Sequence, residues 1–247
     1  MVRFEFGNYR LRASAWMTVL ALAGVLLFAQ LGHWQWHRAQ EKRALAAAFA
    51  AGATGLVKPL GMRSTANLPR YTQLRARGRY EAARQFLLDN MGHDGTTGYE
   101  VLTPFRLDDG RLLLVNRGWM PLPGGQRDTL PDIAVRDLGV IDITGRLDIL
   151  PVTALKAGIA PPSTENHWPK RTSFPNEAQL SAALGEPLES GQLLLAPGEP
   201  HGYLRDWHSA GAGFGPERHI AYAVQWWAFS LLCGFLYLFM NIERRAP

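Results

Sequence analysis

Three of the seven histidines, His33, His37 and His219, stand where two long apolar stretches meet polar sequence. His33 and His37 are four residues apart, which on a helix places both on one face together with Gln30. His219 opens a second stripe at helical spacing, continued by Tyr222, Trp226, Phe229 and Cys233. An imidazole at the lip of an aromatic-lined apolar helix suits a flat, apolar metal complex such as haem. Nitrogen takes the iron, aromatic faces cover the macrocycle, and propionates at the water boundary meet Arg218 or another exposed arginine. A plain membrane anchor carries the same pattern, with rings at the headgroup level and the histidine hydrogen-bonded to headgroups or to an adjoining domain. Gln225, an amide inside the second stretch, calls for a buried partner. Spacing alone leaves both readings open.

Two rods are needed to position these residues, and the sequence supplies them. No Lys, Arg, Asp or Glu lies between Arg12 and Arg38, or between His219 and Glu243. Each interval accommodates the roughly 20 apolar residues that cross a hydrocarbon core about 30 Å thick. The pattern predicts transmembrane helices at 13–36 and 220–242. Trp16 lies near one end of the first, and Trp34 and Trp36 near the other. A cleaved leader is the competing reading, but the apolar region is long for one. The nearest small-residue run, Ala46-Ala47-Ala48-Phe49-Ala50-Ala51, falls well past its end, so a retained anchor is expected.

Residues 1–12, 38–43 and 242–247 together carry the whole net charge of +5, leaving 18 basic and 18 acidic side chains in residues 44–241. The basic excess therefore belongs to membrane flanks, which disfavours a nucleic-acid partner. Short basic ends, Arg3/Arg10/Arg12 and Arg244/Arg245, place 1–12 and 243–247 on the cytoplasmic or matrix side. Residues 37–219 then face outward, into the periplasm across a bacterial inner membrane or the intermembrane space of a mitochondrion. With Cys233 the only cysteine, the outward segment has neither disulfides nor a thiolate metal site.

That segment reads as one mainly-β domain with one or two short helices, entered through an alanine-rich helical extension, Glu41 to Ala51. Strands are expected at Tyr71–Tyr80, Gln85–Asn90, Tyr99–Leu107, Arg111–Asn116, Val140–Leu147 and Gln192–Ala196, with a hairpin turn at Asp108-Asp109-Gly110. A helix is expected at Glu177–Leu184, capped by Asn176 and stopped by Gly185. Pro121–Gly125, Pro151–Pro162 and Pro197–Gly215 read as loops. Arg75, Arg77 and Arg79 alternate along a strand, forming either an anion-binding face or a solvated outer one.

Signatures for a serine nucleophile elbow, a zinc-binding His-Glu-x-x-His, a phosphate loop or a paired-cysteine site are absent from the sequence. Three segments instead resemble a known family. Leu31-Gly32-His33-Trp34-Gln35-Trp36-His37-Arg38-Ala39-Gln40-Glu41-Lys42 is similar to the Leu-Gly-x-Trp-Gln-x-x-Arg-x-x-x-Lys signature of the Surfeit locus protein 1 family. Gly98-Tyr99-Glu100-Val101-Leu102-Thr103-Pro104 with Leu114-Val115-Asn116-Arg117-Gly118-Trp119, and His219-Ile220-Ala221-Tyr222-Ala223-Val224-Gln225-Trp226, follow in the family's order.

The resemblance implies a membrane-bound, non-enzymatic assembly factor for cytochrome c oxidase, acting where haem a is inserted into the catalytic subunit. Its implied partners are that subunit, haem a synthase and membrane lipid. His219 is the implied haem contact and iron ligand, with Tyr222, Gln225 and Trp226 of the same motif beside it, while His33 and His37 fall at variable positions. Arg117 is assigned to a propionate or a partner carboxylate, a local salt bridge explaining it equally well. Gly118 is expected at a strand-end turn and Pro104 at an edge or strand terminus. A protein-only scaffold for an assembly intermediate, and a membrane-anchored envelope enzyme, remain alternatives. A sensor is disfavoured, because the short flanks leave no output domain.

Overall fold

The computed structural model describes residues 2–6, 9–126, 129–136, 139–153, 158–207 and 215–244. The chain divides into two compact units: residues 1–47 with 211–247, and residues 48–210. Parts of the expected terminal segments (1, 7–8 and 245–247) and of the expected loops (154–157 and 208–214) lie outside the described residues.

The first unit is built on two helices, α1 (Ala15–Ala53) and α3 (Pro216–Asn241), both long and apolar enough to cross a membrane. At 1.5 Å per residue, the 39 residues of α1 reach about 58 Å, so one helix covers both the expected span and the alanine-rich extension. The Ser14 hydroxyl accepts from the Met17 N–H at its start, and Pro216 opens α3, where a missing N–H costs nothing. Polar groups and small residues stitch the pair together. The Thr18 hydroxyl lies 2.7 Å from that of Tyr237, and Ser230 Oγ donates to the Val25 carbonyl at 2.9 Å. A Cβ on Gly24 would stand 3.0 Å from Cys233 Sγ. Close, hydrogen-bonded contacts of this kind are what associate helices where apolar burial gives no driving force.

Three short strands, β1 (Val2–Phe6), β2 (Tyr9–Ala13) and β11 (Ile242–Arg244), form an antiparallel sheet in which β2 pairs with both others. The two ends of the chain are thereby hydrogen-bonded to one another. The charge pattern alone marks both only as basic flanks.

The second unit holds an eight-stranded sheet in the order β3 (Lys58–Pro59), β4 (Gln73–Tyr80), β8 (Ile141–Asp148), β10 (Gln192–Leu195), β7 (Leu112–Pro121), β6 (Thr96–Leu107), β5 (Phe86–His93) and β9 (Lys170–Thr172). The end of β6 also pairs with β4, Phe105–Leu107 opposite Gly78–Tyr80, so β4, β8, β10, β7 and β6 close into a ring. Gly78 permits that closure, because a Cβ there would stand 2.1 Å from the Arg106 carbonyl oxygen. Strand β4 alternates as its sequence foretells: Leu74, Ala76 and Tyr80 point into a core with Phe105, Leu113, Val115, Ile143 and Leu193. Arg75, Arg77 and Arg79 point out and are exposed, Arg77 pairing with Asp108 and Asp142.

Helix α2 (Glu177–Leu184) matches its expected bounds. Asn176 and Gln179 form a reciprocal capping box, Gly185 takes a φ of 75° at the C-cap, and Leu180 and Leu184 pack on Phe86, Leu88 and Leu102. Pro104 departs from expectation by sitting inside β6 opposite Leu114. Its carbonyl accepts from Glu81, so its nitrogen faces the same side, the gap where the neighbour of β6 changes from β5 to β4 and no ladder donor is required.

Two arginines and two glutamates clamp α2 to the barrel. Glu186 accepts from Arg106 at 2.7 Å and Arg84 at 2.8 Å, and Glu81 bonds to both arginines. Arg106 and then Arg84 pull the Glu186 carboxyl from its ordinary 4.5 to about 2. A lowered carboxyl pKa contributes stability above about pH 4.5 that is lost as pH falls toward about 2. Because more than a third of the Glu186 side chain is open to solvent, the contribution is modest and screened by salt. The Glu186→Gln variant should show a flatter thermal midpoint across pH 5 to 2 than the unsubstituted chain, the difference shrinking in high salt. Parallel midpoint curves would refute this role.

Candidate functional site

The first and third sequence signatures meet where the middle of α1 lies against the start of α3. His219 is half-buried, and its Nδ1 lies 2.7 Å from Oε1 of Gln35. An amide oxygen only accepts, so this contact places a hydrogen on Nδ1, and in the neutral ring the lone pair is then on Nε2. One turn deeper, Gly32 is buried against the Trp227 indole; a Cβ there would stand 2.4 Å from it. Trp36 packs on Trp227 from α1, their ring centroids 6.0 Å apart. Gln35 and Gly32 are the residues that sequence reasoning passed over. Both stand in the first signature, whose Trp-Gln and Leu-Gly pairs were the available signal.

The predicted residues of α3 divide between two faces. Trp226 is half-buried and stacks on Phe28 of α1, with centroids 5.7 Å apart and planes 15° apart, and Phe229 meets the same ring edge-on. Part of the aromatic stripe therefore serves as the seam of the helix pair. Tyr222 and Gln225 are exposed on the outer surface of α3, and Gln225 makes no hydrogen bond within the described residues. An amide so placed on a helix apolar enough for lipid is costly unless something outside the chain satisfies it.

His33 and His37 lie on the far side of α1. Gln35, which turns toward His219, sits between them at about 160–200° around the helix. Both are exposed, with Nε2 atoms 3.0 Å apart.

Arg117 lies in the second unit, and its guanidinium faces inward. It is 2% exposed and donates to the His201, Ile133 and Gln85 side-chain or backbone oxygens at 2.7–2.9 Å. Tyr203 and Tyr80 flank it, with their ring centroids 5.0 and 5.8 Å from its Cζ. No carboxylate is among these partners, so neither a local salt bridge nor an offered propionate contact describes its position. Burial lowers its pKa, and the two tyrosines beside it push the other way.

The reason for the inward turn is local. Glu100 pairs with Trp119 and Leu102 with Asn116, so Arg117 and Gly118 together oppose the single residue Val101 in a β-bulge. Gly118 has φ +113°, and a Cβ on it would lie 2.6 Å from the Leu204 carbonyl, so the bulge is where the 203–204 segment crosses β7, not a strand end. Hydrogen bonds from Tyr203 N–H to the Arg117 carbonyl and between Trp119 and Leu204 secure that crossing. Nearby, burial first and the Asp148 charge next raise the Glu100 carboxyl pKa, against the bond it accepts from Asn116 at 2.7 Å.

A groove of about 560 Å³ beside α2 is lined by Leu150, Val152, Ile159, Phe174, Pro175 and Glu177 among others. Its one carboxylate, Glu177, accepts from Ser190 Oγ and Gly191 N–H. Polar groups also converge where the middle of α1 meets the start of α3, at Gln35 and His219.

Compared with known families, the chain matches the model described as the SURF1 family over residues 22–231, from within α1 to within α3. No curated protein matches the sequence.

Proposed function

The chain belongs to the SURF1 family, which is associated with cytochrome c oxidase assembly, and on that premise we propose that it receives haem a where the middle of α1 meets the start of α3 and assists its insertion into the oxidase catalytic subunit. The observation that carries the reading is the His219–Gln35 bond, which orients the imidazole with Nε2 free. A histidine that gives its other ring hydrogen to an oxygen acceptor is the usual form of a metal-ligating imidazole. The donor set fits: one neutral nitrogen at the edge of an apolar, aromatic-rich helix pair. In this reading His219 takes the iron, Tyr222 and Gln225 offer the outer face of α3, and Trp226 backs the helix from the seam. The group supplies only its own iron and macrocycle; the protein holds and hands over rather than turning over a substrate.

The two apolar helices and family membership are consistent with an inner-membrane protein. We read α1 and α3 as its spans. Pairing of β2 with β1 and β11 supports a reading in which the segments flanking the spans share one side, and the basic ends favour the cytoplasm or matrix for it. The barrel then faces outward toward oxidase subunits, with haem a synthase as the upstream partner.

Purification in detergent from cells that make haem a should yield a chain with a haem absorption band, and His219→Ala should lose it. A protein-only scaffold is favoured by the engagement of Trp226 and Phe229 with Phe28, and would show no haem band in either form.

A further inference from the structure

We infer that His33 and His37 form a chelating site for a divalent first-row transition metal, copper(II) foremost, separate from the His219 position. The Nε2 atoms lie 3.0 Å apart on adjacent turns of α1, the rings meeting nearly at right angles (85°) with centroids 4.4 Å apart. Two metal–imidazole bonds of about 2.0–2.1 Å place their nitrogens about 2.9 Å apart when they meet at a right angle, and about 3.4 Å apart at a tetrahedral angle. The observed separation matches neighbouring positions of a square-planar or octahedral ion. Square-planar nitrogen ligation is typical of copper(II), which also heads the affinity order of the divalent first-row metals.

Among the described residues, each of the two rings has the other as its one hydrogen-bond partner. In the free chain one Nε2–H donates to the other Nε2. The cation takes the place of that shared hydrogen, which moves through solvent to Nδ1 of the donating ring, so both rings bind as neutral imidazoles. Two turns of helix already hold the rings at the required bite, so little ordering is needed on binding.

The surroundings define the rest of the shell. Glu41, one turn beyond His37, is bound to Arg38 at 2.6 Å, which removes it as a third ligand. Among the described residues no group of three or more His, Cys, Asp or Glu comes together to hold a metal. Water therefore completes the coordination, as the exposure of both histidines allows. Arg38, Glu41, Lys42 and Arg43 follow directly, so the site stands at the aqueous boundary of α1.

The test is titration of the untagged, detergent-solubilised full chain with copper(II), read by calorimetry and by electron paramagnetic resonance. One copper per chain is expected, with a signal split by two nitrogens. His33→Ala and His37→Ala should each weaken binding at least tenfold, while His167→Ala, at an exposed position in the other unit, should not. Alanine is the best helix former, so both variants keep α1 intact. Retention of the haem band by the His33→Ala/His37→Ala chain, with copper binding lost, would establish two separate sites. The proposal is overturned if that double variant binds copper as tightly as the unsubstituted chain, or if the unsubstituted complex shows a single nitrogen.

Discussion

Replacing Arg117 by methionine is expected to lower the stability of the barrel by about 3 kcal/mol, and lysine should do no better. The competing terms are clear from the geometry. Removing the guanidinium relieves a buried charge that no carboxylate compensates, which favours the variant. It also strands the carbonyls of His201 and Ile133 and the Gln85 amide oxygen, at 2.7–2.9 Å from donors that no longer exist. Orphaned acceptors cost about 1–3 kcal/mol each, and three of them outweigh the relief. Lysine keeps the charge but has a point-like head that cannot span acceptors arrayed around a planar fork. For a unit of this size the thermal midpoint should fall by about 6–12 °C. Hydrogen exchange should quicken in residues 197–205, which Arg117 ties to β7. A lysine variant as stable as the original would show that the fork is dispensable.

That arginine shows where the sequence could be read and where it could not. The motif around Arg117 was visible, and so was the oddity of a glycine beside it, but the sign of its environment was not. A basic residue in a strand gives no hint that a bulge will turn it into the barrel, because the bulge is set by a segment that crosses 86 residues later in the chain, where Tyr203 meets Arg117. Local patterns fared well wherever one face is wet and the other dry. The arginines of β4 and the capping box of α2 are such cases.

Where the pattern is short or wholly buried, it fades. Strand β9 is Lys-Arg-Thr and reads as loop, yet it pairs in parallel with β5. Strands β1, β2 and β11 were hidden by their charge, since the arginines that mark a membrane flank are also spaced for a strand. Ring closure through β4 and β6 is a matter of which strands meet, and periodicity says nothing about partners.

The same limit explains why Gln35 was missed, and its substitution is the sharper probe of the proposed site. Gln35 meets His219 across 184 positions of sequence, so no spacing rule connects them. If its role is to hold the imidazole tautomer, Gln35→Leu should weaken haem retention about 10- to 100-fold, the range seen when such an outer partner of a metal-bound histidine is removed. Leucine is similar in volume and keeps α1 helical, so the helix pair should survive. Gln35→Glu discriminates further, because a carboxylate accepts the same Nδ1–H more strongly and makes the ring a better donor. Haem retention should return, with an absorption spectrum displaced from that of the unsubstituted chain by the altered ligand field. A contact that merely joined α1 to α3 would predict otherwise: leucine tolerated, glutamate penalised for its charge at the edge of the apolar layer, and the spectrum unmoved. Equal haem content and identical spectra in the unsubstituted and Gln35→Leu chains would therefore remove His219 orientation from the argument, whatever His219→Ala does by itself.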